Sequence, residues 1–497
     1  MRYATVPQLL AGAARRFGAA PAVVTAESTL SFAELLEGVA AMAAGLRTRG
    51  VRAGDRILMA AGNSAATVQA WLGAIYTGAL PALVNPQLTE PELAYLKQDL
   101  EPVLTLLGEA ELAELPAGGQ PDPHPAGALD PAAIVYTSGT TSRPKGVLVR
   151  HAAYTETGLS FPGWIGLAAE EWLWACLPLF HINAQAYSLM SALAHGYALA
   201  LSPRFHASTF WREAAALEVT SVNVVGAMLA MLERQPVATW QASRLRTIYA
   251  APAPRTAAER AALEERFGVR IVGGYGMSEN TFGCAESPTS RAKPGSIGRP
   301  RQPASGRFAN ELRVVDPDSG AEVAAGVTGE LRFRNPVLTA GYWRAPDLTA
   351  QLLEGGWLHT GDAGLVDADG DVTLAGRYKE MIRRRGENIS AYEVELLVAK
   401  HPGVLEVAAI PLASELTEDD VMIYVVKRPG AEITEQELIR FCSQTMAYFM
   451  IPRFIRFADV LPKTASEKVE KYKLRIMAEA ERELLWDREK EGVTISR

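Results

Sequence analysis

Cysteine is nearly absent from this chain. Cys176, Cys284 and Cys442 lie far apart with no C-x-x-C pair among them, which excludes a disulfide framework and a cysteine zinc site. Long apolar runs are missing too. The nearest approach to one, residues 184–201, is interrupted by Gln185, His195 and Gly196, so no membrane-spanning helix is expected. Basic residues are not in excess: 49 Lys and Arg stand against 56 Asp and Glu, a net charge of −7, which argues against nucleic acid as a partner. Met1-Arg2-Tyr3 leads into a helix-like segment rather than a secretory leader, so a cytoplasmic enzyme is the expectation.

What the chain does have is length and pattern. Its 497 residues, 48% hydrophobic and 21% charged, exceed one ordinary core and read as a globular protein of two or more domains. Residues 1–130 alternate helical and strand patterns, which suggests an α/β sheet domain. Ser31-Phe32-Ala33-Glu34 is a capping box, and the apolar repeat behind it keeps helical spacing as far as Gly50. Arg56-Ile57-Leu58-Met59-Ala60 reads as a strand. Thr89-Glu90-Pro91-Glu92 opens another helix, with Pro91 in the tolerant first turn. Residues 115–130, rich in Pro, Gly and Ala, read as a connector, and the alternation resumes over 148–270.

Two segments break the scaffold pattern. Ala132-Ala133-Ile134-Val135 reads as a buried strand running into Tyr136-Thr137-Ser138-Gly139-Thr140-Thr141-Ser142-Arg143-Pro144-Lys145-Gly146-Val147. Backbone N–H groups, small hydroxyls and one cation are the equipment for holding a polyphosphate. The spacing is not that of the Walker loop, because Gly139 lacks Gly-Lys-Ser/Thr at the required offset. The second segment, Val272-Gly273-Gly274-Tyr275-Gly276-Met277-Ser278-Glu279, ends a strand in glycines around an aromatic ring. Glycines let a flat base approach the backbone, Tyr275 offers a face, and Glu279 can hold magnesium against phosphates. The dinucleotide fingerprint fails because Glu279 stands at its third glycine. The hydrolase elbow fails because Asn280 replaces its last one.

Together these motifs resemble the adenylate-forming superfamily: acyl-CoA synthetases, adenylation domains of peptide synthetases, and beetle luciferases. The likeness runs from about Leu9 to Leu474 with the motifs in order. It departs at Ser142, Ala250 and Glu467, where the family has glycine, and at Ser278, where it has threonine. The resemblance implies an α/β fold: a large N-terminal domain of α/β sheet subdomains (residues 1–378) and a small mobile α+β C-terminal domain (379–497). It assigns ATP contacts to Thr137, Ser138, Gly139, Thr140, Thr141, Lys145, Gly274, Tyr275, Gly276 and Ser278, with Asp362 and Arg377 on the ribose. Magnesium falls to Glu279 and Thr140, and the hinge to Lys379. Lys468 is the implied catalytic lysine, with His181 and Glu279 beside the reacting groups. The implied acyl pocket comprises His181, Gly226, Ala227, Ala250, Ala251, Gly274, Phe282 and Gly283. Its small residues suggest room for a medium, long or bulky cyclic acid. Coenzyme A would meet Arg383, Arg384, Gly386 and Glu387.

The implied activity is ligation of a carboxylic acid to coenzyme A, with ATP and Mg2+. A carboxylate is a poor acylating agent until it attacks the α-phosphate of ATP and displaces pyrophosphate. Two anions must meet in that step, so fixed positive charge is required. Lys468 would bridge them and then withdraw on the swinging domain to admit the thiol. Glu387-Asn388-Ile389-Ser390-Ala391-Tyr392-Glu393 and residues 448–453 are most similar to bacterial ligases of the carnitine-CoA and medium-chain type, and a role in secondary metabolism fits. No carrier or condensation segment accompanies the motifs, which favours a free-standing ligase working on small molecules, with a homodimer as a further expectation. An enzyme that only adenylates, handing its product to a carrier, and a luciferase-like oxidase are the alternatives.

Overall fold

The computed structural model of the chain describes residues 3–137, 144–236, 243–251, 257–289, 293, 295–384, 387–414, 418–463 and 469–494. Helix starts follow the sequence closely. Ser31 Oγ accepts from Glu34 N while Glu34 Oε2 accepts from Ser31 N at 2.8 Å, so both orphan donors of the helix Phe32–Thr48 are satisfied. Thr89 with Glu92 and Thr434 with Glu437 repeat this device at Glu90–Leu100 and Glu435–Thr445. Ala198–Leu201 and Ser221–Val224 are buried at every position, as strands covered on both faces must be.

Among the described residues the largest sheet has nine strands. Their order is Arg299–Pro300, Asn280–Ala285, Arg270–Met277, Thr247–Ala250, Ser221–Val224, Trp172–Ala175, Ala198–Leu201, Pro21–Val24 and Thr29–Ser31. Its middle is parallel and both ends finish in antiparallel pairs. A second sheet runs Leu104–Leu107, Arg56–Ala60, Leu80–Val84, Pro131–Thr137, Lys145–Arg150, parallel except for the last pair. Helices Val6–Phe17, Phe32–Thr48, Ala65–Thr77 and His151–Ile165 share one core with both sheets, where Trp71 meets Tyr154 edge-on at 5.5 Å. Residues 1–130 are therefore not one sheet unit. Their first two strands complete the nine-stranded sheet beside Ala198–Leu201, and the next three build the other one. Local alternation of helix and strand carries no record of so distant a pairing.

A third, antiparallel sheet joins Glu311–Val315, Gly329–Arg334, Leu358–Val366 and Val372–Arg377 around Leu331, Phe333 and Leu358. After Arg377 the chain makes a short turn, Tyr378–Glu380, and enters the hairpin Met381–Arg384 with Glu387–Ser390. Four more strands (Val404–Ala413, Asp419–Lys427, Phe454–Phe457, Trp486–Asp487) carry the helices Ala391–Val398 and Lys471–Ala480 and close two cores of their own. The fold is α/β, with a large N-terminal domain and a smaller C-terminal one. No described helix is long and apolar enough to cross a membrane.

Candidate active site

The strand Arg270–Met277 and its partner Asn280–Ala285 meet in a tight turn, with Met277 opposite Asn280, and so lift Ser278 and Glu279 to the sheet's end. Glu279 is only 7% exposed. Its Oε1 accepts the Tyr342 hydroxyl at 2.8 Å, and its own carbonyl accepts from Thr339 N at 2.9 Å. Burial pushes the Glu279 carboxyl above the usual carboxylate range, and the Tyr342 bond opposes that rise. Lys145 Nζ lies 5.2 Å from the centre of the Tyr342 ring, where the ring's face attracts a cation. Tyr342 reaches this position because Leu148 N donates to Gly341 O and Trp343 N to Gly146 O, pairing residues 341–343 with the strand Lys145–Arg150.

A second carboxylate stands beside the same strand. The Tyr275 hydroxyl donates to Asp362 Oδ2 at 2.5 Å, and Arg377 Nε lies 3.0 Å from Asp362 Oδ1. Asp362 is 4% exposed. Burial alone would lower the Arg377 guanidinium, but Asp362 and Glu380 outweigh it and hold the cation firmly charged. Tyr275, which is itself buried, stacks on Phe333 at 6.2 Å, so Phe333 covers one face of its ring. The structure thus brings Lys145, Tyr275, Glu279, Asp362 and Arg377 to one strand end, and three sheets contribute to the group. Ser138, Gly139, Thr140, Thr141, Gly386 and Lys468 lie outside the described residues, as do the side chains of Lys379 and Glu387.

His181 follows a loop held in place by a residue that the sequence did not single out. Asn63 Nδ2 donates to the carbonyls of Ala175, Leu177 and Ser202, and its Oδ1 accepts from Leu179 N at 2.7 Å. The chain then enters a π-helix, Asn183–Leu189, a form that recurs at functional sites. Asn223 Nδ2 donates to Asn183 Oδ1 at 3.0 Å, and the Tyr187 hydroxyl donates to Thr281 O at 2.9 Å, tying this turn to the Glu279 hairpin. Asn223 had a sequence signal: it is an amide between two valines in a wholly buried strand.

Several expected pocket residues do not open space. A Cβ at Gly274 would fall 2.2 Å from the Tyr249 hydroxyl and one at Gly283 1.9 Å from the Tyr275 carbonyl; Gly276, expected at the nucleotide, is as crowded, its Cβ 2.5 Å from the Tyr187 hydroxyl. These glycines are small because another group already fills the position. Phe282 has no exposed surface and sits between Trp164 and Phe308, and Ala250 is sealed as well. Gly226 and Ala227, which start the helix Gly226–Glu233, and Ala251 are half-buried. Gly274, Gly283, Phe282 and Ala250 are thus packed positions, while Gly226, Ala227 and Ala251 keep part of their surface.

Arg384 is also corrected. It is 4% exposed, pairs with Asp420 at 3.1 Å, and donates to the carbonyls of Phe449 and Ile451 at 3.1 Å each, so it fastens its hairpin to the sheet instead of reaching toward phosphates. Arg383 is the exposed member of the pair. The segment that carries Lys468 is closed at its base. Lys463 bridges to Val469, Glu470 N donates to Pro462 O at 2.8 Å, and Lys463 Nζ meets Glu406 at 2.8 Å. Just beyond, Lys471 Nζ lies 2.9 Å from Glu380 and 2.8 Å from Glu395.

These features define an α/β protein of two domains whose charged groups gather where the strand Arg270–Met277 ends. The sequence matches the AMP-binding enzyme family over residues 10–119 and 107–343, and the AMP-binding enzyme C-terminal domain over 393–468. The chain belongs to the AMP-binding enzyme family. A probable CoA ligase of Humulus lupulus, CCL9, is 30% identical over 517 aligned residues that cover 96% of each chain. A crotonobetaine/carnitine–CoA ligase of Escherichia coli O7:K1 is 29% identical over 85% of this chain and 88% of its own. Among solved structures, the anthranilate CoA ligase AuaEII in complex with anthranoyl-AMP has a TM-score of 0.86 at 25% identity, covering 97% of this chain and 99% of that one.

Proposed function

We propose that this protein is an acid–thiol ligase: it joins a carboxylic acid to AMP with loss of pyrophosphate, then passes the acyl group to the thiol of coenzyme A. The observation that carries the reading is the pair of buried carboxylates, Glu279 and Asp362, held by Tyr342, Tyr275 and Arg377 at one strand end. Asp362 has the lone pairs to bind two ribose hydroxyls, and Arg377 pairs with it at 3.0 Å. Lys145 and the 138–141 segment hold the phosphates. Relatives named as CoA ligases, and related structures holding ATP with magnesium or an acyl-adenylate, support the same chemistry.

The residues present suit magnesium. Glu279 offers a carboxylate with one oxygen fixed by Tyr342, and a hard cation that completes its shell from phosphates and water needs few protein ligands. No group of three or more His, Cys, Asp or Glu among the described residues forms a separate cage. When bound, the ion neutralises the departing pyrophosphate. Lys468 supplies positive charge between carboxylate and α-phosphate, and the 463–469 base keeps its segment in register. Residues 1–378 and 379–497 act as separate bodies about Lys379, with Arg383 on the face turned toward coenzyme A. The filled glycine positions favour a compact acid over the bulky one expected from the sequence.

A screen of carboxylic acids for pyrophosphate release, with and without coenzyme A, tests the reading. Release with thiol consumption is expected for at least one acid, and Lys468→Ala should abolish it while ATP still binds. Full adenylation by that variant would refute the assignment.

A further inference from the structure

Arg301 follows the edge strand Arg299–Pro300, and its backbone N–H donates to Gly283 O at 3.1 Å. That bond sets it against the strand Asn280–Ala285, beside the residues expected around the acyl group. Its guanidinium shares an electrostatic neighbourhood with Cys284, the Tyr249 hydroxyl and Glu286, and burial lowers its pKa. Glu286 is already engaged. It takes both terminal nitrogens of Arg260 and accepts from Gly273 N at 2.6 Å.

The Nε and Nη2 atoms of Arg301 are shut off from solvent and make no hydrogen bond. Together they form the side-on edge of the guanidinium, the edge that grips both oxygens of a carboxylate in parallel bonds. Arg266, by contrast, donates from both terminal nitrogens to the carbonyls of Glu233 and Gln235, and Arg384 pairs with Asp420. Arg301 is half-buried, yet this edge of its charge is shielded and has no partner, a position that an anion would complete. Tyr249 supplies a hydroxyl on the same side, pressed against the backbone at Gly274, and Tyr187 and Phe161 pack around it. The packing around the Tyr249 hydroxyl is therefore aromatic.

We propose that Arg301, with the Tyr249 hydroxyl, receives a second anionic group of the substrate, so that the acid activated here is a compact one with a distal carboxylate or sulfonate. This rests on the ligase reading above and names its substrate class. A site built to bond a polar substrate group strongly rejects the analogue that lacks it.

The test compares acids of equal length, butyrate against succinate and hexanoate against adipate, with sulfoacetate added, by pyrophosphate release and thioester formation. The expected result is a preference for the dianionic member of a pair of at least about 100-fold in kcat/KM. Arg301→Met should reverse that ratio, and Arg301→Lys should restore part of it, since the charge returns without the fork. Should Arg301→Met not fold, Tyr249→Phe should lower the same ratio. A wild-type preference for monoacids, or a ratio indifferent to these substitutions, overturns the proposal and leaves the ligase reading standing. Absence of pyrophosphate release with every acid brings down both.

Discussion

Lys471 Nζ lies 2.9 Å from Glu380 Oε2, joining the start of the helix Lys471–Ala480 to the turn Tyr378–Glu380. Glu395 completes the group at 2.8 Å. All three side chains are largely buried, so removing the cation strands two carboxylates. Lys471→Met should destabilise the protein by about 3–5 kcal/mol, the usual cost of breaking a buried ion pair from one side. The deficit has a pH signature. Burial already raises the Glu395 carboxyl and Lys471 pulls it back down, so the variant's carboxyl rises further. Protonation below that raised value relieves the stranded charge. Urea denaturation at pH 5 and pH 8 should therefore show a smaller gap from wild type at the lower pH, and equal gaps would contradict the coupling.

Tyr275→Phe deletes the hydroxyl that Asp362 Oδ2 accepts while keeping the ring. Leaving a buried carboxylate short of one donor costs about 1–3 kcal/mol. The KM for ATP should rise roughly 5- to 150-fold on that basis. An unchanged KM would remove the Tyr275–Asp362 pair from the nucleotide site.

Glu279 should make nucleotide binding a proton-linked event. Its carboxyl is raised by burial, so the free protein gains stability from the protonated form below the usual carboxylate value and loses it as pH climbs through the raised one. A magnesium nucleotide needs the carboxylate, so at pH values below that raised one binding expels a proton. Calorimetry in buffers of different ionisation enthalpy should report that release, and Glu279→Gln should abolish it. Tyr342→Phe removes a bond that lowers the pKa and should shift the acid limb of activity to higher pH.

Asn63→Ala would unfasten the loop before His181. Its amide satisfies four backbone groups, so stability should fall by about 1–3 kcal/mol or more. On the proposed placement of His181 at the acyl group, the KM for the carboxylic acid should rise more than the KM for ATP. Equal changes in both would point to a general loss of structure.

The local elements were legible because their causes are local. Ser31 with Glu34, and Thr434 with Glu437, are boxes that read the same in sequence and in space. The ends of Arg56–Ala60 likewise follow from composition alone. What stayed hidden depends on contacts between distant parts of the chain. Asn63 acts on carbonyls more than a hundred residues away. Gly274 and Gly283 read as open space in sequence, and only the approach of Tyr249 and of the Tyr275 carbonyl shows that they are filled. Arg384 looked like an exposed cation until Asp420 and two carbonyls claimed it.

The pairing of Val23 with Leu199 also has a consequence for how the molecule is made. At a ribosome adding roughly 5–20 residues per second, the hairpin Pro21–Val24 with Thr29–Ser31 emerges about 9–35 s before the strand it lies against. During that interval its apolar edge has no native neighbour. Slowed translation between the two segments should lengthen the nascent chain's dependence on chaperones, and faster translation there should shorten it.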